Sequence, residues 1–169
     1  WAEVSPGWDR SLVLVFGTPI TPKPTAAGVI SAVEDAGRVG IILTAVDGEV
    51  TQLVGGELAV TGFSASVDGT TVAFTASTAD QPGELHLWTA EGVETLTSLN
   101  ERVAADLGLV AGDHFVVEGA GGPIDTWIYL PPGNAKVPLL LNIHGGPASQ
   151  YGFGFFDEFQ VYAGAGYGV

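Results

Sequence analysis

Residues 137–147 read VPLLLNIHGGP, an apolar run that leads directly into two glycines and a proline. The apolar run is typical of a buried strand, and the glycines end it without a side chain that could crowd the backbone. A strand that stops in this way leaves unpaired N–H groups at its carboxyl end. Hydrolases on an open α/β sheet use such groups to stabilise a developing oxyanion. The competing interpretation is a plain Gly-Gly-Pro turn, with His144 held in the core.

The segments around this run extend the pattern. A Tyr/Gly/Phe-rich loop follows it, then a helix-like stretch with Gln160, then the GYGV of residues 166–169; upstream, residues 126–132 read TWIYLPP. Together with HGGP, these segments resemble the prolyl oligopeptidase family of serine peptidases, most closely its acylaminoacyl-peptidase and dipeptidyl-peptidase-like branch. The resemblance is specific over residues 112–169 and looser over residues 40–109. It implies a β-propeller ahead of an α/β-hydrolase domain.

The composition is that of an acidic, glycine-rich chain of 169 residues, with 25 glycines and no cysteine. Five basic residues face 19 acidic ones, and the net charge of −14 argues against nucleic acid, whose phosphates would be repelled. No apolar run reaches the roughly 18 residues that span a bilayer. No signal-peptide core is visible either, but this does not exclude export, because the true N-terminus is expected to be missing. The expected location is the cytoplasm, with no membrane partner. The absence of cysteine excludes disulfides, thiolate zinc sites and a cysteine nucleophile within this stretch.

Both ends of the sequence are expected to lie inside a longer protein. It starts with Trp1 rather than methionine, and it stops at Val169, where an apolar strand should be starting. We therefore expect a piece of a longer enzyme, whose true N-terminus, with any export signal, lies outside this sequence.

The first part of the chain, residues 1–99, has a repeating strand pattern. The turn pairs Asp47-Gly48 and Glu91-Gly92 lie 44 positions apart (92 − 48), and glycine supplies the positive φ that tight hairpin turns need. Repeats of about 40–45 residues with four strands are typical of propeller blades. We predict the last blades of a propeller, with a plain β-sandwich as the alternative; residues 18–25, with three prolines, should be an exposed loop insertion. The predicted strands cover residues 11–16, 28–33, 38–45, 49–54, 71–77, 84–89 and 93–96.

The first helix is predicted just after the strand repeat. Asn100 is a suitable cap for it, and Gly108 is suited to end it. Val103 and Leu107, with Ala104 as a further candidate, are spaced to form one buried stripe. Residues 100–111 should therefore connect the β-domain to the next one, so that no helix beyond a single turn precedes them.

A second domain is predicted over residues 112–169, as the N-terminal part of the hydrolase domain. It should open with a hairpin and continue with a strand and a helix. The predicted elements are strands 114–118 and 124–130 with a turn at 119–122, a strand at 139–144, and a helix at about 155–163 that Gly164 ends.

Site roles come from the resemblance and rest on the glycine turn. In related HGGP enzymes the second glycine, here Gly146, supplies one of two backbone N–H groups to the oxyanion. Gly145 lets the chain turn, His144 is expected to brace the loop, and Pro147 to set its exit direction. Tyr151 is assigned tentatively to the substrate pocket. Three nearby phenylalanines either line that pocket or pack under the helix: Phe153, Phe155 and Phe156.

No residue in the chain has the surroundings of a nucleophile or a metal ligand. Ser149 lacks the G-x-S-x-G elbow that presents a catalytic hydroxyl, and the histidines show no zinc spacing. The family order of Ser, Asp and His, all downstream of HGGP, places the whole triad beyond residue 169. No metal or cofactor is expected.

We therefore predict a serine peptidase that cleaves short peptides through an acyl-enzyme, acylaminoacyl- or dipeptidyl-peptidase-like. The isolated chain should be inactive, because it holds at most half an oxyanion hole. The alternatives are a carboxylesterase of the same fold and a non-catalytic propeller scaffold. The substrate end group, the number of blades and homo-oligomer formation are left open.

Overall fold

The computed structural model describes residues 10–12, 14–15, 18–133, 136–146 and 149–169, with only the backbone described for residues 11, 12, 14, 15, 18 and 19. Strands dominate the described chain, and two short helices interrupt them late in the sequence. In chain order the elements are β1 (Ser11–Leu12), β2 (Leu14–Val15), β3 (Thr18–Pro19), β4 (Lys23–Thr25), β5 (Gly28–Asp35), β6 (Arg38–Thr44), β7 (Val50–Val54), β8 (Ala59–Ala65), β9 (Val72–Ser77), β10 (Glu84–Thr89), β11 (Gly92–Thr95), α1 (Glu101–Leu107), β12 (Asp113–Gly119), β13 (Gly122–Ile128) and α2 (Asp157–Gly164).

Two four-stranded antiparallel meanders make up most of the β-structure. Strands β4 to β7 pair consecutively, and strands β8 to β11 do the same. A single parallel bridge, Val39 to Ala59, joins the two meanders. Gly48 and Gly92, the pair that defined the repeat, both have positive φ where the third strand of their meander leads to the fourth. Gly48 lies in the loop between β6 and β7, and Gly92 is the first residue of β11. The predicted blades are therefore confirmed, and the described residues before α1 contain no helix.

The proline-rich segment is more ordered than predicted. Lys23–Thr25 pairs with β5 as an edge strand, and Thr18–Pro19 pairs with β2. The prediction of a loop insertion over residues 18–25 is therefore wrong for these residues. Proline is tolerated there because an edge strand needs fewer of its N–H groups for the ladder. The predicted strand 11–16 is divided between β1 and β2, with its residues 13 and 16 outside the described part.

The core of the meanders is continuous and apolar. One cluster joins residues from both meanders, so that the inner faces of the strands pack against each other across the boundary. Burying each large side chain of this kind stabilises the fold by about 1.5–3 kcal/mol. Strand β8, which sequence reasoning did not predict, contributes Val60 to this core. The buried members are Ile30, Ile41, Val54, Val60, Val72, Phe74 and Ala76.

Helix α1 occupies the predicted position, but its packing differs from the prediction. Gly108 ends it in the left-handed conformation, as expected. The Asn100 side chain makes no cap hydrogen bond and instead donates to the Gly83 carbonyl, because the Asn100 backbone has helical dihedrals. Val103 and Leu107 are 48% and 69% exposed, so the predicted burial is wrong for these two members of the stripe. Only Ala104 on this helix is buried.

Glu84 fixes the start of α1 to the last strands of the second meander. Its carboxylate accepts hydrogen bonds from the Thr97 hydroxyl and from the Asn100 N–H, the latter at 2.6 Å. These two hydrogen bonds, in that order of effect, lower the pKa of Glu84. The start of α1 is therefore attached to the second meander through the Glu84 carboxylate.

The hairpin of β12 and β13 forms as predicted, with a shorter turn. Gly119 pairs with Gly122, so only two residues lie in the turn instead of the predicted four. Helix α2 lies within two residues of its predicted bounds. Gly164 was predicted to follow and end the helix, but it is the last helical residue. Ala165 is the C-cap, and Gly166 takes the positive φ.

The strand predicted over residues 139–144 is reduced to a single bridge. Leu139 pairs in parallel with Gly168, and Leu140 donates its N–H to the Gly168 carbonyl. Tyr129 and Val169 exchange both backbone hydrogen bonds, each 2.9 Å long. The order is therefore β13, then residues 168–169, then Leu139. No pairing partner for residues 141–144 lies within the described chain, which is why the apolar run alone did not produce a strand.

Candidate active site

The glycine turn is open in the structure. A Cβ atom placed on Gly145 or on Gly146 would have no other heavy atom within 4 Å, and both residues are exposed. No hydrogen bond between described residues uses the Gly146 N–H. Pro147 lies outside the described residues, so its role in setting the exit direction stays a prediction. The geometry is that of a backbone donor accessible to a ligand.

His144 and Tyr151 enclose one side of this turn. The His144 Nδ1 lies 2.7 Å from the Gly145 carbonyl oxygen. The imidazole also contacts the Tyr151 ring edge to face, with centroids 5.8 Å apart. These are the contacts that a loop-bracing histidine needs, and the role itself stays a prediction.

Tyr151 is held by groups on two sides. Its hydroxyl donates to Asn142 Oδ1 at 2.9 Å. Its ring packs against Phe156 and Phe159, with centroids 5.4 and 5.0 Å away. The hydroxyl is therefore already engaged within the chain, and the predicted contact with substrate is not what orders this side chain.

An apolar cleft of about 460 Å³ lies beside the turn. One wall comes from the β5–β6 turn, a second from the β12–β13 hairpin, and a third from the apolar run before the glycines. The cleft can receive an apolar group close to the exposed backbone donor. Its lining includes Ala36, Gly37, Phe115, Trp127, residues 139–144 and Tyr151.

The first meander makes a close backbone contact with the loop after the glycine turn. The Gly37 carbonyl accepts the Phe153 N–H at 2.8 Å. A Cβ on Gly152 would lie 2.0 Å from the Gly37 oxygen, so only glycine fits there. Phe153 is buried beneath Trp127, and the Arg38 guanidinium stacks over its ring at 4.5 Å. Phe153 therefore packs between the blade and the hairpin.

Gln160 joins three parts of the chain, and sequence reasoning assigned it no role. Its Oε1 accepts the Val110 N–H at 2.9 Å, and its Nε2 donates to the Val110 carbonyl at 2.9 Å. The same Nε2 donates to the Ala79 carbonyl at 3.0 Å. One side chain of α2 thus holds the connector and the second meander. A polar glutamine among apolar residues of the predicted helix was the sequence feature that could have indicated a buried hydrogen-bonding role for Gln160.

A second polar pair lies at the hairpin. His114, to which the sequence assigned no role, places Nε2 2.7 Å from Asp125 Oδ1. Its ring contacts those of Trp127 and Phe153.

Tyr129, at the end of the same hairpin, has a raised pKa. The larger cause is burial of the side chain, and the smaller one is the negative charge of Asp80.

The described residues bring together no metal-binding group. No cluster of three or more His, Cys, Asp or Glu side chains occurs among them. Ser149 makes no hydrogen bond to another described residue. Within the described residues, neither helix has the length and apolar character of a membrane span.

Comparisons with known proteins were made for sequence and for fold. No family model matches the sequence. The chain is 30% identical over 141 residues to the uncharacterized peptidase YuxL of Bacillus subtilis (strain 168). The matched stretch covers 80% of this chain and 21% of that protein. The uncomplexed acylaminoacyl peptidase of Pyrococcus horikoshii matches with a TM-score of 0.82 and 28% identity, over 96% of this chain and 25% of that one. An acylaminoacyl peptidase in complex with Z-Gly-Gly-Phe-chloromethyl ketone matches with a TM-score of 0.83 and 27% identity, over the same shares of the two chains.

Two propeller blades followed by the opening strands and helix of an α/β-hydrolase sheet define a class of peptidases that combines the two folds. Within this class the chain is similar to peptidases of the prolyl oligopeptidase family, as its HGGP region indicated. The chain spans between 21% and 25% of the length of the relatives it matches.

Proposed function

We infer that the protein carrying this chain is a serine peptidase that hydrolyses short peptides through an acyl-enzyme. The observation that carries this proposal is the fold match to acylaminoacyl peptidases over 96% of the chain. That match includes both the blades and the segment with the exposed glycine turn. Residues 1–99 would form the partial propeller, residues 100–111 the connector, and residues 112–169 the start of the peptidase domain.

Gly146 would supply one oxyanion donor. When a nucleophile attacks a peptide carbonyl, negative charge develops on the oxygen, and a pre-oriented N–H stabilises this charge more than the neutral carbonyl. The Gly146 N–H has the necessary exposure and freedom from other described hydrogen bonds. We place the second donor, the nucleophile and its Asp and His partners beyond residue 169.

The substrate class follows from the cleft and from a relative. The cleft beside the glycine turn is mostly apolar, which favours an apolar side chain at the residue before the scissile bond. One acylaminoacyl peptidase was solved in complex with Z-Gly-Gly-Phe-chloromethyl ketone. We propose that short peptides with a blocked amino end are preferred, and that the propeller limits access to such small substrates. No metal or cofactor is required, because the charge is stabilised by backbone donors.

A substrate panel tests this proposal on the full-length protein. It compares acetyl-Phe-p-nitroanilide, Phe-p-nitroanilide, a dipeptidyl p-nitroanilide and p-nitrophenyl acetate, each with and without a fluorophosphonate. Fastest turnover of the acetylated anilide, abolished by the fluorophosphonate, would support the proposal. Turnover of the ester alone would mean a carboxylesterase, and no turnover of any substrate would mean a non-catalytic scaffold. Cell fractionation and light scattering would test the cytoplasmic location and homo-oligomer formation that belong to the same proposal.

A further inference from the structure

The hydrogen bond inside the glycine turn fixes the donor atom of His144. The Nδ1 lies 2.7 Å from the Gly145 carbonyl oxygen, and a carbonyl oxygen only accepts hydrogen bonds. The Nδ1 must therefore carry the proton. In the neutral ring, Nε2 is then the unprotonated nitrogen.

The bonded carbonyl belongs to the same peptide unit as the Gly146 N–H. A peptide unit is planar and trans, so its C=O and N–H point in opposite directions. Whatever holds the Gly145 oxygen consequently holds the direction of the Gly146 N–H. Without such a hold, two successive glycines in open space would sample many orientations.

The imidazole is itself held in place. Tyr151 contacts it edge to face, and the Tyr151 hydroxyl is bonded to Asn142, two residues before His144. The Tyr151 ring also packs on Phe156 and Phe159, at the start of α2. The peptide unit is therefore linked to the start of α2 through the rings of His144 and Tyr151.

We propose that His144 is a positioning residue that orients the peptide unit between Gly145 and Gly146, so that its N–H is already directed at the oxyanion. This inference rests on the proposed function of Gly146. It assigns the histidine a specific atom, Nδ1, and a specific effect on kcat. His144, which also lines the cleft, acts on the oxyanion through the backbone and not by contact with the reacting atoms.

Isosteric variants of the full-length enzyme separate the two ring nitrogens. In His144→Asn the amide nitrogen takes the place of Nδ1, in His144→Gln it takes the place of Nε2, and His144→Leu has no donor. We expect Gln and Leu to lower kcat by about 10- to 100-fold, less than complete loss of a donor, with KM changed little. Asn should recover most of this loss at an unchanged melting temperature. An Asn variant that is folded and as slow as Leu would overturn the inference.

A spectroscopic readout does not depend on turnover. In the 15N-histidine-labelled protein at about pH 8.5, above the usual histidine pKa of about 6.5, the long-range 1H–15N spectrum reports the tautomer. His144 should be protonated at Nδ1. His114, whose Nε2 faces the Asp125 carboxylate at 2.7 Å, should be protonated at Nε2 and serves as the internal control. An Nε2–H form of His144 overturns the inference even in an active enzyme. An Nδ1–H form together with full activity of Gly146→Pro leaves the orientation intact and removes the proposed role of Gly146.

Discussion

The blades and the segment with the glycine turn are held together in different ways. In the meanders, neighbouring strands pair over as many as seven positions, as β5 and β6 do, and Ile30 is 0% exposed. The segment from residue 137 onward has one strand bridge, and Leu141 and Ile143 are 83% and 75% exposed. Backbone ladders stabilise the blades locally, whereas the site depends on individual contacts from distant parts of the chain.

Those distant contacts come from the blades and the connector. Gly37 of the first meander bonds to Phe153, Ser77 of the second bonds to the Phe155 N–H at 3.1 Å, and Gln160 holds Ala79. A change at these points should therefore affect the site region more than the blades.

The largest expected effect is on catalysis, at the glycine turn itself. Gly146→Pro in the full-length enzyme removes the N–H while leaving most substrate contacts. Loss of one oxyanion donor should lower turnover by about 100- to 1,000-fold, or roughly 3–4 kcal/mol of transition-state stabilisation. The measurement is kcat on an acetylated peptide anilide, with the melting temperature as the control for folding. An undiminished rate in a folded variant would place the oxyanion hole elsewhere.

The next effect concerns the contact between blade and site loop. In Gly152→Ala the new Cβ would lie 2.0 Å from the Gly37 carbonyl oxygen, and overpacking of this kind destabilises by about 1–3 kcal/mol. The matched control is Gly145→Ala, where the added Cβ meets no heavy atom within 4 Å. Urea unfolding of the two variants measures the difference. Equal stability of both would show that the close approach of Gly37 and Gly152 does not hold the loop.

A similar loss of stability is expected from Gln160→Met, which keeps the size of the side chain. The variant leaves the Val110 N–H and two carbonyls without their partner, at a cost of about 1–3 kcal/mol. The Val110 amide should exchange with solvent about tenfold faster or more. Gln52→Met, at an exposed position of β7, is the control. If Val110 exchanges at the same rate in both variants, Gln160 does not join the connector to α2.

The smallest effect should appear at the start of the connector. The hydrogen bonds from Thr97 and Asn100 lower the pKa of Glu84 in the folded protein, so the carboxylate stabilises the fold above its unfolded pKa of about 4.3. This contribution is lost as the pH falls through the lowered folded pKa. Melting temperatures between pH 7 and pH 3 should therefore fall more steeply in wild type than in Glu84→Gln. Parallel curves would contradict the assignment.

Much of the fold was predictable because its signals are local. The 44-residue spacing of Gly48 and Gly92 marked the corresponding connection in each meander, because both residues have the positive φ that glycine adopts most readily. Gly108 ended α1 for the same kind of reason. The glycine turn at residues 145–146 was also visible, because a chain reversal after an apolar run leaves a signature in residue types.

The errors share a different cause, which is dependence on distant partners. Residues 139–144 have the composition of a strand, but a strand forms only where a neighbouring segment supplies backbone hydrogen bonds. Val103 and Leu107 have helical spacing, yet whether they are buried depends on what lies beside α1. The contacts of Gln160 with Ala79 and Val110, and of Gly152 with Gly37, join residues 50 to more than 100 positions apart in the sequence. No local pattern encodes them.

We propose that this chain supplies one half of an oxyanion hole and the blades that support it, and that the nucleophile lies beyond residue 169. Fluorophosphonate labelling of the full-length protein, followed by peptide mapping, tests it most directly. The isolated 169-residue chain, assayed beside it on short peptide anilides, should be inactive and unlabelled. We expect one labelled serine, located after Val169. A label on a serine within residues 1–169, such as Ser149, would contradict it.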